Sequence, residues 1–239
     1  MTLRKKVNVM KEFLTDSALF AVVLSLAAFQ IGVFIKNKTG ISFLTPLVTS
    51  MALIIAFLVV TGIDYETYSE NASILMYFLT PATVCLAVPL YQKMKILKEN
   101  LAAVLIGIIS GVFVSAVCIL LFSLLFKFNH EMYVTLLPKS ITTAIGISVS
   151  EEFNGVVAIT TAAIIITGNV GGMFADIIFK VFRIKEPVSK GLALGTASHV
   201  MGTSKAMEMG EIEGAMGSLA VAVAGIITVV VLPLFTNFI

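Results

Sequence analysis

Residues 101–128 read LAAVLIGIISGVFVSAVCILLFSLLFKF, and no charge interrupts them before Lys127. A helix needs about 20 mostly apolar residues to cross the hydrocarbon core of a bilayer. This run exceeds that length, so it reads as a membrane span. The rest of the 239-residue chain agrees: 58% of it is hydrophobic and only 13% charged. Soluble domains carry about 25% charge. Too little charge remains to coat a soluble particle, so the excess apolar surface must face lipid or another subunit. A soluble enzyme is excluded on this ground.

Further apolar segments flank the first. Ser17–Ile35, Ile41–Gly62, Gly155–Ala175 and Ala215–Ile239 qualify as spans. Ala72–Tyr91 is apolar but interrupted by Pro81 and Pro89. Leu136–Val149 is short and polar-rich, and Val188–Lys205 is weak, rich in Gly, Ser and Thr. The first span follows Arg4, Lys5, Lys6 and Lys11; its length exceeds a signal-peptide core, so a retained helix is expected. Cys85 and Cys118 lie inside apolar runs and predict neither a disulfide framework nor a thiolate metal site. A net charge of +2 gives no sign of a nucleic-acid partner.

Charge between the spans gives orientation, because cytoplasmic loops are rich in Lys and Arg. Lys93, Lys95 and Lys98 form one basic loop; Lys180, Arg183, Lys185 and Lys190 form another. With both in the cytoplasm, the chain between them crosses an even number of times. Leu136–Val149 is then the segment that does not cross, and is expected to be re-entrant. The same reasoning has Leu101–Phe128 run outward and Ala215–Ile239 inward. A broken segment, a charged loop and a long span thus occur twice (72–91 with 101–128, and 188–205 with 215–239). The expected architecture is an all-α polytopic membrane protein, 1–239 as one membrane domain. Two weak inverted repeats with discontinuous helices, about 13–128 and 132–239, would build it, a plan shared with secondary transporters.

Polar groups gather where hydrocarbon should exclude them. Three clusters stand out: Thr80-Pro81-Ala82-Thr83, Pro138-Lys139-Ser140-Ile141-Thr142-Thr143, and Ala197-Ser198-His199-Val200-Met201-Gly202-Thr203-Ser204-Lys205. Proline frees a carbonyl one turn back, and irregular backbone survives at membrane depth only when buried or lining a wet cavity. A broken helix exposes N–H groups that attract an anion. A lysine at mid-bilayer costs about 2.5–3.5 kcal/mol on insertion scales, so Lys139 calls for a counter-charge. His199 could donate to an anion or carry a proton. Thr80, Thr83, Lys139, Ser140, Thr142, Thr143, Asn169, Ser198, His199, Gly202 and Thr203 are therefore the expected binding residues for a small anion. Beside this stands a plainer reading, in which the hydroxyls bond their own helices, Lys139 snorkels and His199 packs. Glycines four apart (107/111, 168/172, 191/195, 210/214) favour close helix packing and a homo-oligomer, expected to be a dimer. HExxH, CxxC, GxSxG and P-loop patterns are missing, so neither catalysis, metal nor cofactor is expected.

TGIDYETY (61–68), PATVCLAVPLY (81–91), PKSITT (138–143) and LALGTASHVMGTSKAMEMGEIEGAMGSLA (192–220) together resemble the LrgB/CidB family. That family includes bacterial antiholin-like proteins, YohK-like inner-membrane proteins and the membrane domain of the plastid glycolate/glycerate translocator. Thr80, Ala144 and Val200 depart from its pattern, which has glycine, proline and glycine there. The resemblance implies an elevator-transporter-like fold in a bacterial inner membrane. It also implies one of two activities. The favoured expectation is transport of small organic anions such as glycolate, glycerate or pyruvate-like monocarboxylates, with possible proton or cation coupling. The alternative is holin/antiholin-like regulation of murein hydrolase activity and lysis with a small LrgA/CidA-type membrane partner. A wide pore is disfavoured, because the spans lack a repeated polar stripe.

Overall fold

Helix α6, Leu101–Phe126, buries one stripe: Val104, Ile108, Val112, Ala116, Ile119 and Ser123. The spacing of four, four, four, three and four follows one helix face, while Ile106, Leu121 and Phe122 on the other faces stay exposed. In lipid an apolar side chain gains little by moving from lipid to a neighbouring helix, so close van der Waals packing must hold the bundle. The computed structural model that shows this describes residues 17–40, 44–78, 81, 84, 85 and 87–239. They are mostly helical, with no strand among them. Among them, four helices are long and apolar enough to cross a membrane: Leu19–Thr39, Leu101–Phe126, Val157–Val181 and Glu211–Phe238.

Two compact units make up the chain, Met1–Val84 and Cys85–Ile239. In the first, α1 (Ala18–Thr39) ends on Gly40 in the left-handed conformation, and α2 (Pro46–Thr61) starts from a Thr45 cap with proline in its first turn. The two helices run antiparallel. Gly32 lets α1 approach the backbone of Pro46, and Phe20 meets Phe57 with ring centres 5.9 Å apart. Helix α3 (Tyr65–Ala72) is capped by the Asp64 carboxylate, and the Tyr68 hydroxyl bonds that of Ser25 at 2.8 Å. A 3₁₀ turn, Ser73–Phe78, follows.

The second unit opens with two short helices, α4 (Ala87–Gln92) and α5 (Met94–Glu99), and then α6. Helices α7 (His130–Leu136) and α8 (Thr143–Glu152) follow, then α9 (Val157–Val181), α10 (Pro187–Met209) and α11 (Glu211–Phe235). Val104, Ile108 and Val112 of α6 pack with Ala215, Met216, Ala220 and Ala224 of α11. Further along, Ala116 and Ile119 pack with Leu232 and Phe235. The two helices therefore run parallel, and Lys93 ties their starting ends together through Glu211 at 2.8 Å. This corrects the opposite directions expected for 101–128 and 215–239.

The reason lies in α10, which does not cross. Ser198 and His199 leave helical geometry, and His199 has φ +44°. A side chain added at Gly202 would strike the Leu194 carbonyl. Eight residues apart on a straight helix, those positions would stand about 12 Å from each other. The chain has doubled back. Leu194 and Ala206 share one cluster with Ala175 and Phe179, and Ile184 and Met209, just outside the two limbs, pack at the same end of it. Segments 187–197 and 200–209 thus form a re-entrant hairpin whose two ends emerge on one side. That puts the acidic stretch around Glu208–Glu213 at the lysine-rich end, not across the membrane from it.

A second hairpin enters from the other end. The Thr135 hydroxyl accepts from the Val156 amide at 2.8 Å, and the Thr160 hydroxyl donates to the Thr135 carbonyl at 2.9 Å. Ser150 bonds Thr160 at 2.7 Å. Helices α7 and α8 are therefore antiparallel limbs with residues 137–142 as their tip. The Tyr133 hydroxyl donates to the Phe235 carbonyl at 2.8 Å and anchors the limb beside the end of α11. The re-entrant reading of 136–149 agrees with this geometry. Both basic loops lie at one end of the unit, the arrangement that the lysine and arginine bias of cytoplasmic loops calls for.

Candidate functional site

Each hairpin carries its tip to the middle of a long helix. Ser140, at the tip of the first, bonds the hydroxyl of Ser115, near the midpoint of α6, at 3.2 Å. The Lys139 ammonium donates to the Ser140 hydroxyl at 3.0 Å. Among the described residues no carboxylate stands within ion-pair distance of Lys139. Lys139 and Ser140 close one end of a cavity of about 680 Å³. Its walls are the small-residue face of α6 (Gly107, Gly111, Ser115, Cys118) and the first limb of α10 (Ser189, Ala193, Thr196). Toward the lysine-rich end it reaches Asn100 and Glu186. The volume suits a small molecule. A cation held there beside two hydroxyls can receive a negative or strongly polar group.

The second tip lies elsewhere. His199 is 4% exposed and places Nε2 3.0 Å from the Ile164 carbonyl, so the ring donates to α9. A side chain at Gly168 would come within 2.7 Å of that ring, and one at Gly171 would collide with the Ser198 hydroxyl. The glycines of Gly168-Asn169-Val170-Gly171-Gly172 are the bed on which the tip rests. Thr203 turns its hydroxyl back to the His199 carbonyl, one turn earlier, at 3.0 Å. Gly202 leaves room for the other limb, whose Leu194 carbonyl an added side chain would strike.

Of the residues singled out in the sequence, Lys139 and Ser140 share the cavity, and Thr196 and Ala197 bring the approach to the second tip against it. Ser198 and His199 are buried against α9 and Thr203 against Gly217 of α11, and none of the three lines the cavity. Asn169 donates to the Ile165 carbonyl of its own helix at 3.0 Å. Thr142 and Thr143 begin α8, half-buried, outside the cavity wall. Thr80 and Thr83 lie outside the described residues. The second and third clusters thus meet the cavity only through Lys139, Ser140 and Ala197, and the first, apart from Pro81, lies outside the described residues. Ser115, Cys118 and Thr196 were not singled out. The spacing of Gly111, Ser115 and Cys118, which places them on one face of α6, was the available signal. Asp176 pairs with Lys205 at 2.8 Å. Among the described residues, no group of His, Cys, Asp or Glu is placed to hold a metal ion.

Comparison with known proteins follows the same outline. The model of the LrgB-like family matches residues 25–238. An antiholin-like protein LrgB of Bacillus subtilis (strain 168) is 39% identical over 226 residues, covering 94% of this chain and 98% of that protein. Proteins of the same name from Bacillus mycoides (strain KBAB4) and Bacillus cereus (strain B4264) are 38% identical over the same share. No solved structure matches the chain at a significant level. These findings overturn the favoured expectation of a small-anion transporter: the relatives are named for antiholin-like action and support the alternative instead. A match over nearly the whole chain, together with helices able to cross a membrane several times, identifies it as a multi-pass bacterial cell-membrane protein that belongs to the LrgB-like family.

Proposed function

We propose that the chain is an antiholin-like regulator, restraining murein hydrolase activity and lysis in concert with a small LrgA/CidA-type membrane partner. The observation that carries this is the match to proteins named antiholin-like over 94% of the chain. The architecture supports it. A regulator of a hole must itself be closed, and in the second unit two hairpins push to mid-depth from opposite ends. Large exposed side chains on the long helices are apolar, among them Leu121, Phe122, Ile166 and Ile226, with no polar stripe to line a wide opening. The cavity ending at Lys139 is the place where such a body would sense or grip something polar.

Dye-loaded liposomes and whole cells test the reading together. Liposomes carrying the chain alone are expected to hold their dye, and the leak produced by the partner is expected to change when the chain is added. In a host lacking its own copy, expression of chain and partner together is expected to slow autolysis. Saturable uptake of a small anion by the chain alone, with no effect on autolysis, would overturn the proposal.

A further inference from the structure

At the lysine-rich end a second concavity, about 500 Å³, sits where both ends of the α10 hairpin meet α9. Its floor is apolar: Phe179, Ile184 and Met209. Around the rim stand four cations, Lys180, Arg183, Lys185 and Lys190, against two carboxylates, Asp176 and Glu213. Asp176 is already held by Lys205. Glu213 is 9% exposed and folds its carboxylate back over Gly210 at the start of α11. Among the described residues none of the four rim cations has a carboxylate within ion-pair distance. Arg183 is held in the left-handed conformation directly after α9.

Beside this rim the surface turns apolar. Phe182 and Val181 are 72% and 68% exposed, and the stripe continues down α9 through Ile178, Ile177 and Phe174. A cationic cup at headgroup level above an apolar strip at acyl level has the chemistry of a phospholipid, because basic pockets between helices on the cytoplasmic side hold lipid headgroups. We infer that this cup binds the phosphate of an anionic phospholipid, with an acyl chain lying along 174–181. The lipid would pin the two ends of the re-entrant hairpin to α9. The site rests on the membrane fold alone and is independent of the antiholin reading.

Native mass spectrometry of the purified full chain, titrated with phosphatidylglycerol, cardiolipin or phosphatidylcholine, tests the inference. The anionic lipids are expected to bind at least tenfold more tightly than phosphatidylcholine, with a preference that falls as salt rises. Arg183→Gln is expected to weaken them about fivefold, and Lys180→Gln with Lys190→Gln roughly thirtyfold. Lys95→Gln, at the same end but outside the cup, is expected to leave binding unchanged. Equal affinity for phosphatidylcholine overturns the site, as does loss of binding in Lys95→Gln equal to that in Arg183→Gln. Inorganic phosphate that displaces the lipid at equal concentration shows a free-anion site and overturns the lipid assignment. Wild-type lipid selectivity decides the matter even where a variant does not fold.

Discussion

Replacing Lys139 with methionine is expected to make the protein more stable and to abolish its restraint of autolysis. Methionine keeps the length and flexibility of the lysine stem but brings no charge to mid-depth. Among the described residues the Lys139 ammonium makes one hydrogen bond, to Ser140, and no ion pair. One neutral hydroxyl offsets little of the roughly 2.5–3.5 kcal/mol that a lysine costs at the centre of a membrane helix. Removing the charge should return part of that, read as a higher unfolding midpoint in denaturant. Cells carrying Lys139→Met with the partner are expected to lyse as fast as cells lacking the chain. A variant that is both stabilised and inactive marks Lys139 as a residue kept for function. Loss of stability would show that the cation holds the hairpin in place, and undiminished restraint would remove the cavity from the mechanism.

A leucine at position 195 is expected to prevent the second unit from folding. A side chain there would run into the Gly217 carbonyl and stand 2.7 Å from the Ala220 side chain. Both obstacles belong to the rigid body of α11, so the first limb of α10 would have to move away. Gly191, one turn earlier, faces the Glu213 carbonyl in the same manner. Overpacking of a fitted core costs about 1–3 kcal/mol, and more where backbone is struck. We expect about 3 kcal/mol or more, seen as loss of most folded protein from detergent extracts by size-exclusion chromatography. Gly107→Ala is the contrasting case. Its added carbon would meet only the tip of Leu192 at 3.9 Å. It should fold normally or gain up to about 1 kcal/mol from better helix propensity. Equal behaviour of the two variants would argue against the packing described here.

Much of this fold was legible because the bilayer imposes a length. Residues 101–128 were read as a span and form a helix over Leu101–Phe126. Charge parity, together with its shortness and polarity, points to 136–149 as a segment that does not cross. The same parity misled the orientation of the last helix, because it counted 188–205 as a crossing. The reversal there occurs at Ser198 and His199, neither a glycine nor a proline, and is enforced from outside by the α9 carbonyl and glycine bed. The Gly-, Ser- and Thr-rich composition of 188–205 marks a broken segment, but local sequence carries no sign that the break turns the chain back on itself. Of the two readings open for His199, a group that meets an anion or one that packs, the structure shows a buried ring that donates to Ile164. Lys139 and Ser140 were legible as polar residues beside a proline. Their companions Ser115, Cys118 and Thr196 look like ordinary members of membrane helices until the helices are assembled.

Sided cysteine labelling tests the central claim most directly. With Cys85 and Cys118 replaced by alanine, single cysteines at positions 185 and 208 mark the two ends of the α10 hairpin, and those at 131 and 151 mark the limbs of the first. All four native residues are exposed. An impermeant maleimide applied to intact cells is expected to label 131 and 151 and to miss 185 and 208. Inverted vesicles are expected to give the reverse. Labelling of 185 and 208 from opposite sides would show that 187–209 crosses the membrane, and would contradict the two-hairpin architecture.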